Sequence, residues 1–97
     1  MTDFEWDHEK NRINIRKRGL DFEEAISIFD GDTVEVIDDR LDYGEERIIA
    51  TGEMDGTVIV VVYTLRGETI HIISARKAER YERVAYYQTV TGRAPDG

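Results

Sequence analysis

Residues 47–74 read RIIATGEMDGTVIVVVYTLRGETIHIIS, and the way this stretch divides decides the fold. Asp55-Gly56 and Arg66-Gly67 interrupt three extended runs, 47–54, 57–63 and 68–74, in the manner of hairpin turns. The uninterrupted apolar run from Val58 to Val62 predicts a strand covered on both faces, and hence a central one. One more β-rich run, TVEVI at 33–37, precedes them. An antiparallel sheet of three to four strands is therefore expected.

Both flanks read as helical. Upstream, after the short aromatic start Phe4-Glu5-Trp6, Asp7 is suited to cap a polar helix that runs to about Arg18 and exits through Gly19. Its only aliphatics are Ile13 and Ile15, so it should pack lightly and display Lys10, Arg12, Arg16 and Lys17. Asp21-Phe-Glu-Glu24 resembles a capping box, with Leu20 and Ala25 placed as a hydrophobic staple. Phe22, Ala25, Ile26 and Phe29 keep helical spacing up to Asp30-Gly31. Downstream, SARKAERYER at 74–83 takes up helical spacing as well. Tyr81, Val84 and Ala85 form an apolar stripe there, and Arg76, Arg80, Arg83 and Tyr87 line another face. The expected class is α+β: two N-terminal helices, the sheet and a C-terminal helix, in a single domain over residues 1–90 with a tail at 91–97.

Composition narrows the possible functions. The 97 residues suffice for one core, and the chain contains no cysteine, which removes disulfides and thiolate metal sites from consideration. No apolar run approaches the ~20 residues of a membrane span, and the N-terminus lacks the basic and apolar regions of a signal peptide. A soluble, cytoplasmic protein with no membrane partner is expected. The formal net charge is -8. Five cations and no acid occupy residues 10–18, whereas residues 19–46 hold eleven acids against Arg40 alone. Such an acidic average argues against a general nucleic-acid binder but leaves room for a local cationic site.

Arg76 and Lys77 stand where the last helix is expected to begin, and cations at the positive end of a helix dipole are unfavourable there by ~0.3–1 kcal/mol each. Two readings stand. Either free backbone N–H groups and the two cations converge into an anion cradle, or the cations neutralise the acidic body and lie over the sheet edge. Arg80 and Arg83 can pair with Glu79 and Glu82 in the same way, and Arg66 sits at a hairpin tip. His71, alternating with Ile70 and Ile72, is either a half-buried structural histidine or a proton carrier. The carboxylates of DDRLDYGEE (38–46) lack calcium-loop spacing and include no histidine, so they read as a solvated loop with no metal. No phosphate loop, nucleophile elbow or zinc-spaced pair is present, and no cofactor is expected.

FEWDHEKNRINIRKRGLDFEEA (4–25) together with GEERIIATGEMDGTVIVVVYTLRGETIHIISARKAERYERVAYY (44–87) resembles the BrnT family of bacterial type II toxins. The likeness is carried by F-x-W-D, K-x-x-x-N, F-E-E-A, G-E-x-R, V-V-Y-T and H-I-I-S-A-R-K-A in family order. It implies a RelE-like ribonuclease fold, growth arrest through RNA cleavage, and neutralisation by an antitoxin with a ribbon-helix-helix DNA-binding domain, through which alone the toxin would reach DNA. In a metal-independent endoribonuclease the ribose 2′-hydroxyl attacks the neighbouring phosphate. That reaction calls for a base, an acid and cations around the transition state. Arg76 and Lys77 are the expected charge stabilisers, and Tyr63, His71 and Glu82 the expected proton carriers. Arg47, Arg66, Arg80, Arg83 and Tyr87 are expected to hold RNA. A second reading is a catalytically weak or inactive antitoxin-binding module that acts as corepressor. The chain departs from the family at Arg18, which stands in K-R-G where the family commonly has K-H-G.

Overall fold

The computed structural model describes residues 2–40, 42 and 44–92. The chain runs β1 (Asp3–Trp6), α1 (His8–Arg18), α2 (Phe22–Ala25), a 3₁₀ stretch (Ile26–Asp30), β2 (Val34–Asp38), β3 (Arg47–Met54), β4 (Thr57–Arg66), β5 (Thr69–Lys77) and α3 (Arg80–Thr91). The strands form one sheet in the order β1-β5-β4-β3-β2, with β1 parallel to β5 and all other neighbours antiparallel. The apolar run of β4 is the central strand, as its composition predicts.

Five strands are present where three to four were expected, and the extra one is the aromatic start. Phe4 and Trp6 of β1 point to one face. There Phe4 stacks on Phe29 at 5.5 Å, and Trp6 meets Phe22 edge-on at 6.2 Å. Four residues are too few to show an alternation, so only this packing reveals the strand.

The second helix is also shorter than its apolar spacing implied: it is one α-helical turn that tightens into 3₁₀ at Ile26. Both windings bring residues three apart to one side, so the spacing could not separate them. Ile28 of this tight stretch is fully buried against Gly52 of β3, where an added Cβ would stand 2.7 Å from the Ile28 Cβ. Phe22, Ala25, Ile28, Ile59, Val61 and Ile72 are all fully buried in this core, between the sheet and the N-terminal helices.

α1 is held mainly by polar groups. Asp7 accepts from the Lys10 N–H at 3.1 Å, and Gly19 closes the helix in the left-handed region. Buried Asn14 donates to the Leu20 carbonyl at 2.9 Å and accepts from the Ala75 N–H at 3.3 Å, which ties α1 to β5. Asn11 donates to Asp21 and accepts from the Phe22 N–H, fixing the start of α2.

α3 packs on the opposite face, over Val58, Val60, Val34 and Ile49. Its inward residues are Tyr86 and Val90, and the Tyr86 hydroxyl donates to the Asp32 carbonyl at 2.8 Å. Tyr81, Val84 and Ala85, the expected apolar stripe, face outward instead, with Tyr81 74% exposed. The phase is set by where the helix begins. β5 continues through Lys77 and α3 starts only at Arg80, so a stripe counted from residue 74 points the wrong way. Among the described residues, no helix is long and apolar enough to cross a membrane.

Candidate functional site

α3 covers only part of its face of the sheet. The remainder is a groove of about 500 Å³ floored by Ile49, Val60, Val62 and Ser74. Arg76 of β5, Tyr81 and Glu82 of α3, Arg18 at the end of α1, and Ile37, Asp38, Asp39 and Arg40 around the end of β2 complete its lining.

Arg76 and Glu82 form a two-pronged pair across this groove, at 2.8 and 2.9 Å. The Glu82 contact holds the guanidinium even more firmly charged than usual, and the Arg76 hydrogen bonds in turn pull the Glu82 carboxyl below its ordinary range. Glu82 also accepts the Glu79 N–H at 2.7 Å, closing the first turn of α3. The anion cradle read from the sequence is therefore corrected. Arg76 and Lys77 belong to a strand, and the start of α3 is served by the chain's own acids.

Further along the same face, one polar side chain from each strand forms a row. Glu5 of β1 lies opposite His71 of β5, and His71 opposite Thr64 of β4; Arg47 of β3 lies opposite Asp38 of β2. The Thr64 hydroxyl bridges the two pairs by donating to the Glu46 carbonyl at 2.7 Å. His71 Nδ1 is 2.6 Å from the Glu5 carboxylate, and Arg66 reaches the same oxygen at 3.7 Å. Asp38 is buried and grips Arg40 at 2.8 and 2.9 Å. The stretch 38–46 is thus not wholly a solvated loop: its first carboxylate anchors the groove rim. Composition signalled charge at this point but could not show which acid turns inward.

The expected site residues separate into groups. Arg76 and Glu82 meet in the groove, while His71, Arg47 and Arg66 belong to the row on the same face. Tyr63 lies on the other face, where its hydroxyl donates to Glu35 and its ring meets Phe29 edge-on at 5.6 Å. Burial and Glu35 both push its phenol upward. Lys77 is exposed at the end of β5, and Arg80 on the first turn of α3. Arg83 donates to the Ala78 carbonyl at 3.2 Å, and the Tyr87 hydroxyl donates to Glu53. Sequence reasoning overlooked Glu5, Thr64 and Tyr81 as site residues. Strand register alone brings Glu5 to His71, and no sequence spacing reports it.

A sheet with one helix-filled face and one half-open face, edged by arginines and carrying a carboxylate–histidine pair, defines a small α+β protein with an open, charged groove. A family model described as "Ribonuclease toxin, BrnT, of type II toxin-antitoxin system" matches residues 6–82, and the chain belongs to that family of ribonuclease toxins. Among solved structures, it is similar to the ribonuclease toxin BrnT of Brucella abortus, known at 1.1 Å resolution. The TM-score is 0.62 and the identity 29%, over 82% of this chain and 99% of that one. No curated protein matches the chain. As a type II toxin it has an antitoxin partner and an RNA substrate.

Proposed function

We propose that the chain is a metal-independent endoribonuclease of RelE-like architecture that arrests growth in the cytoplasm. Residues 1–90 act as one toxin domain; the tail boundary expected at 91 falls on the last residue of α3, and 93–97 lie outside the described residues. A ribbon-helix-helix antitoxin neutralises it and makes the only link to DNA. The observation that carries this reading is that His71 and Arg76 face one open side of the sheet, each held by its own carboxylate.

Glu5 at Nδ1 fixes the imidazole so that Nε2 is the atom that exchanges protons. His71 accepts the proton of the attacking ribose 2′-hydroxyl, and solvent returns one to the departing 5′-oxygen. Arg66, which approaches the same Glu5 oxygen as His71, stabilises the extra negative charge on the phosphorane-like transition state. Arg76, oriented by Glu82, lies opposite Val60 where His71 lies opposite Thr64, and so engages a neighbouring phosphate about 13 Å along the sheet. Arg47 holds another, and Arg80 and Arg83 extend the cationic rim, while Lys77, opposite Ile59, lies on the far face. Exposed Tyr81 and Tyr87 offer rings on which unpaired bases stack. Tyr63, on the far face, has a structural part.

The test is single-turnover cleavage of a single-stranded RNA in a chelating buffer. His71→Ala and Arg66→Gln should each lose about 10²–10⁴-fold in rate with the sheet intact by circular dichroism. Wild-type rates in both variants would refute the assignment.

Arg18 favours a second reading. It lines the groove where the family commonly places histidine, and a chain that needs that imidazole would bind its antitoxin and act as corepressor while cutting RNA poorly. Arg18→His separates the two: a large gain in cleavage supports the corepressor reading, and no gain supports the His71 mechanism.

A further inference from the structure

Strand β2 is an open edge of the sheet, and its sequence leaves it bare. Val36 and Ile37 are adjacent, so they point to opposite faces, yet they are 56% and 60% exposed. Neither face is covered at Val36 and Ile37, between Val34, which packs under α3, and buried Asp38. Natural edges are commonly protected by lysine, proline or a bulge, and VEVID carries none of these. What it carries is negative charge, with Glu35 and Asp38 in the strand and Asp32 just before it. Beside the end of the strand lies a hollow of about 360 Å³, lined by Ile37 and five carboxylates between Asp38 and Glu46 against one cation, Arg40. Two copies of such an edge repel each other, which disfavours self-pairing. A cationic, partly apolar strand is attracted instead.

We propose that β2 is the docking edge for the antitoxin, which adds an extended segment of alternating cationic and apolar side chains to the sheet. Main-chain hydrogen bonds to β2 give the segment its register, apolar side chains cover Val36 and Ile37, and a lysine or arginine enters the acidic hollow. Ile37, Asp38 and Asp39 also line the groove, so a segment laid on β2 ends at the groove mouth and obstructs RNA there. The acidity of residues 19–46, which RNA binding leaves unexplained, thereby acquires a partner. This inference rests on the antitoxin of the family and not on the His71 chemistry.

The test uses the complex co-expressed from its own operon and the free chain. Val36→Lys should weaken antitoxin binding by about tenfold or more while leaving melting temperature and RNA cleavage of the free chain unchanged. Raising salt from about 0.1 M to about 0.5 M should weaken the wild-type complex several-fold. Hydrogen exchange should show new protection at residues 34–38 in the complex. If Val36→Lys lowers the melting temperature, Asp42→Asn with Glu46→Gln carries the same test through charge alone. Unchanged affinity in the folded variants, protection confined to other strands, or a free chain that dimerises through β2 would each overturn the proposal. Loss of cleavage in wild type with docking intact would count against the ribonuclease mechanism only.

Discussion

His71 and Arg76 face the same side of the sheet although an odd number of residues separates them along one strand. The cause is a β-bulge: Tyr63 opposes Ile72 and Val62 opposes Ser74, which leaves Ile73 as an extra residue in β5. Strict alternation would have put His71 with Ala75, on the face that holds the main core. Deleting Ile73 alone restores strict alternation with His71 and Arg76 still on one face, so it should cost little beyond local repacking. Deleting Ile73 and Ser74 together shifts the period by one and should force either His71 or Arg76 into the apolar face, at a cost of about 3 kcal/mol or more, read by denaturant unfolding. A double deletion as stable as wild type would show that the strand period does not set the facing of these side chains.

The Arg76–Glu82 pair links stability to pH. Glu82 is held below its ordinary 4.5, so its contribution is complete above that value and fades as pH falls through the lower folded pKa. The stability gap between wild type and Glu82→Gln should therefore be flat near neutrality and close in acid. Arg76→Gln should cost about 1 kcal/mol, a modest figure because the guanidinium keeps some solvent contact. A gap that widens on acidification would contradict the pairing. Added phosphate should not stabilise wild type through the start of α3, because Glu79 and Glu82 already occupy it.

Tyr63→Phe separates the two faces of the sheet. The variant loses the hydrogen bond to Glu35, at a cost of about 0.5–1.5 kcal/mol, and cleavage at a temperature where it is folded should match wild type. An inactive but folded Tyr63→Phe would move the chemistry to the helical face.

Gly52→Ala should destabilise the chain by about 1–3 kcal/mol, since the new methyl would press on Ile28. Thermal unfolding measures this, and an unchanged midpoint would mean that the 3₁₀ stretch yields freely.

Much of the fold was legible because hydrophobic period and turn chemistry are local. Asp55-Gly56 marked a hairpin that has both residues at positive φ, and Asp7 and Gly19 marked the ends of α1. What stayed hidden depends on partners remote in sequence. β1 exists through its pairing with β5, 66 residues away at Glu5 and His71. The strand-to-helix boundary after Lys77 was misplaced because ISARKAER satisfies both periods, and that error carried Arg76 and Lys77 onto a helix they do not join. The candidate cations were visible as residues, whereas the carboxylates that orient them, Glu5 and Glu82, became visible in those roles only through register and capping.

The chemistry of the cut ends tests the central claim most directly. RNA cleaved by the wild-type chain in excess chelator should carry 2′,3′-cyclic phosphate and 5′-hydroxyl ends, the products of attack by the RNA's own 2′-hydroxyl, and should be absent with His71→Ala. Ends bearing 3′-hydroxyl and 5′-phosphate, or cleavage abolished by the chelator, would contradict the account.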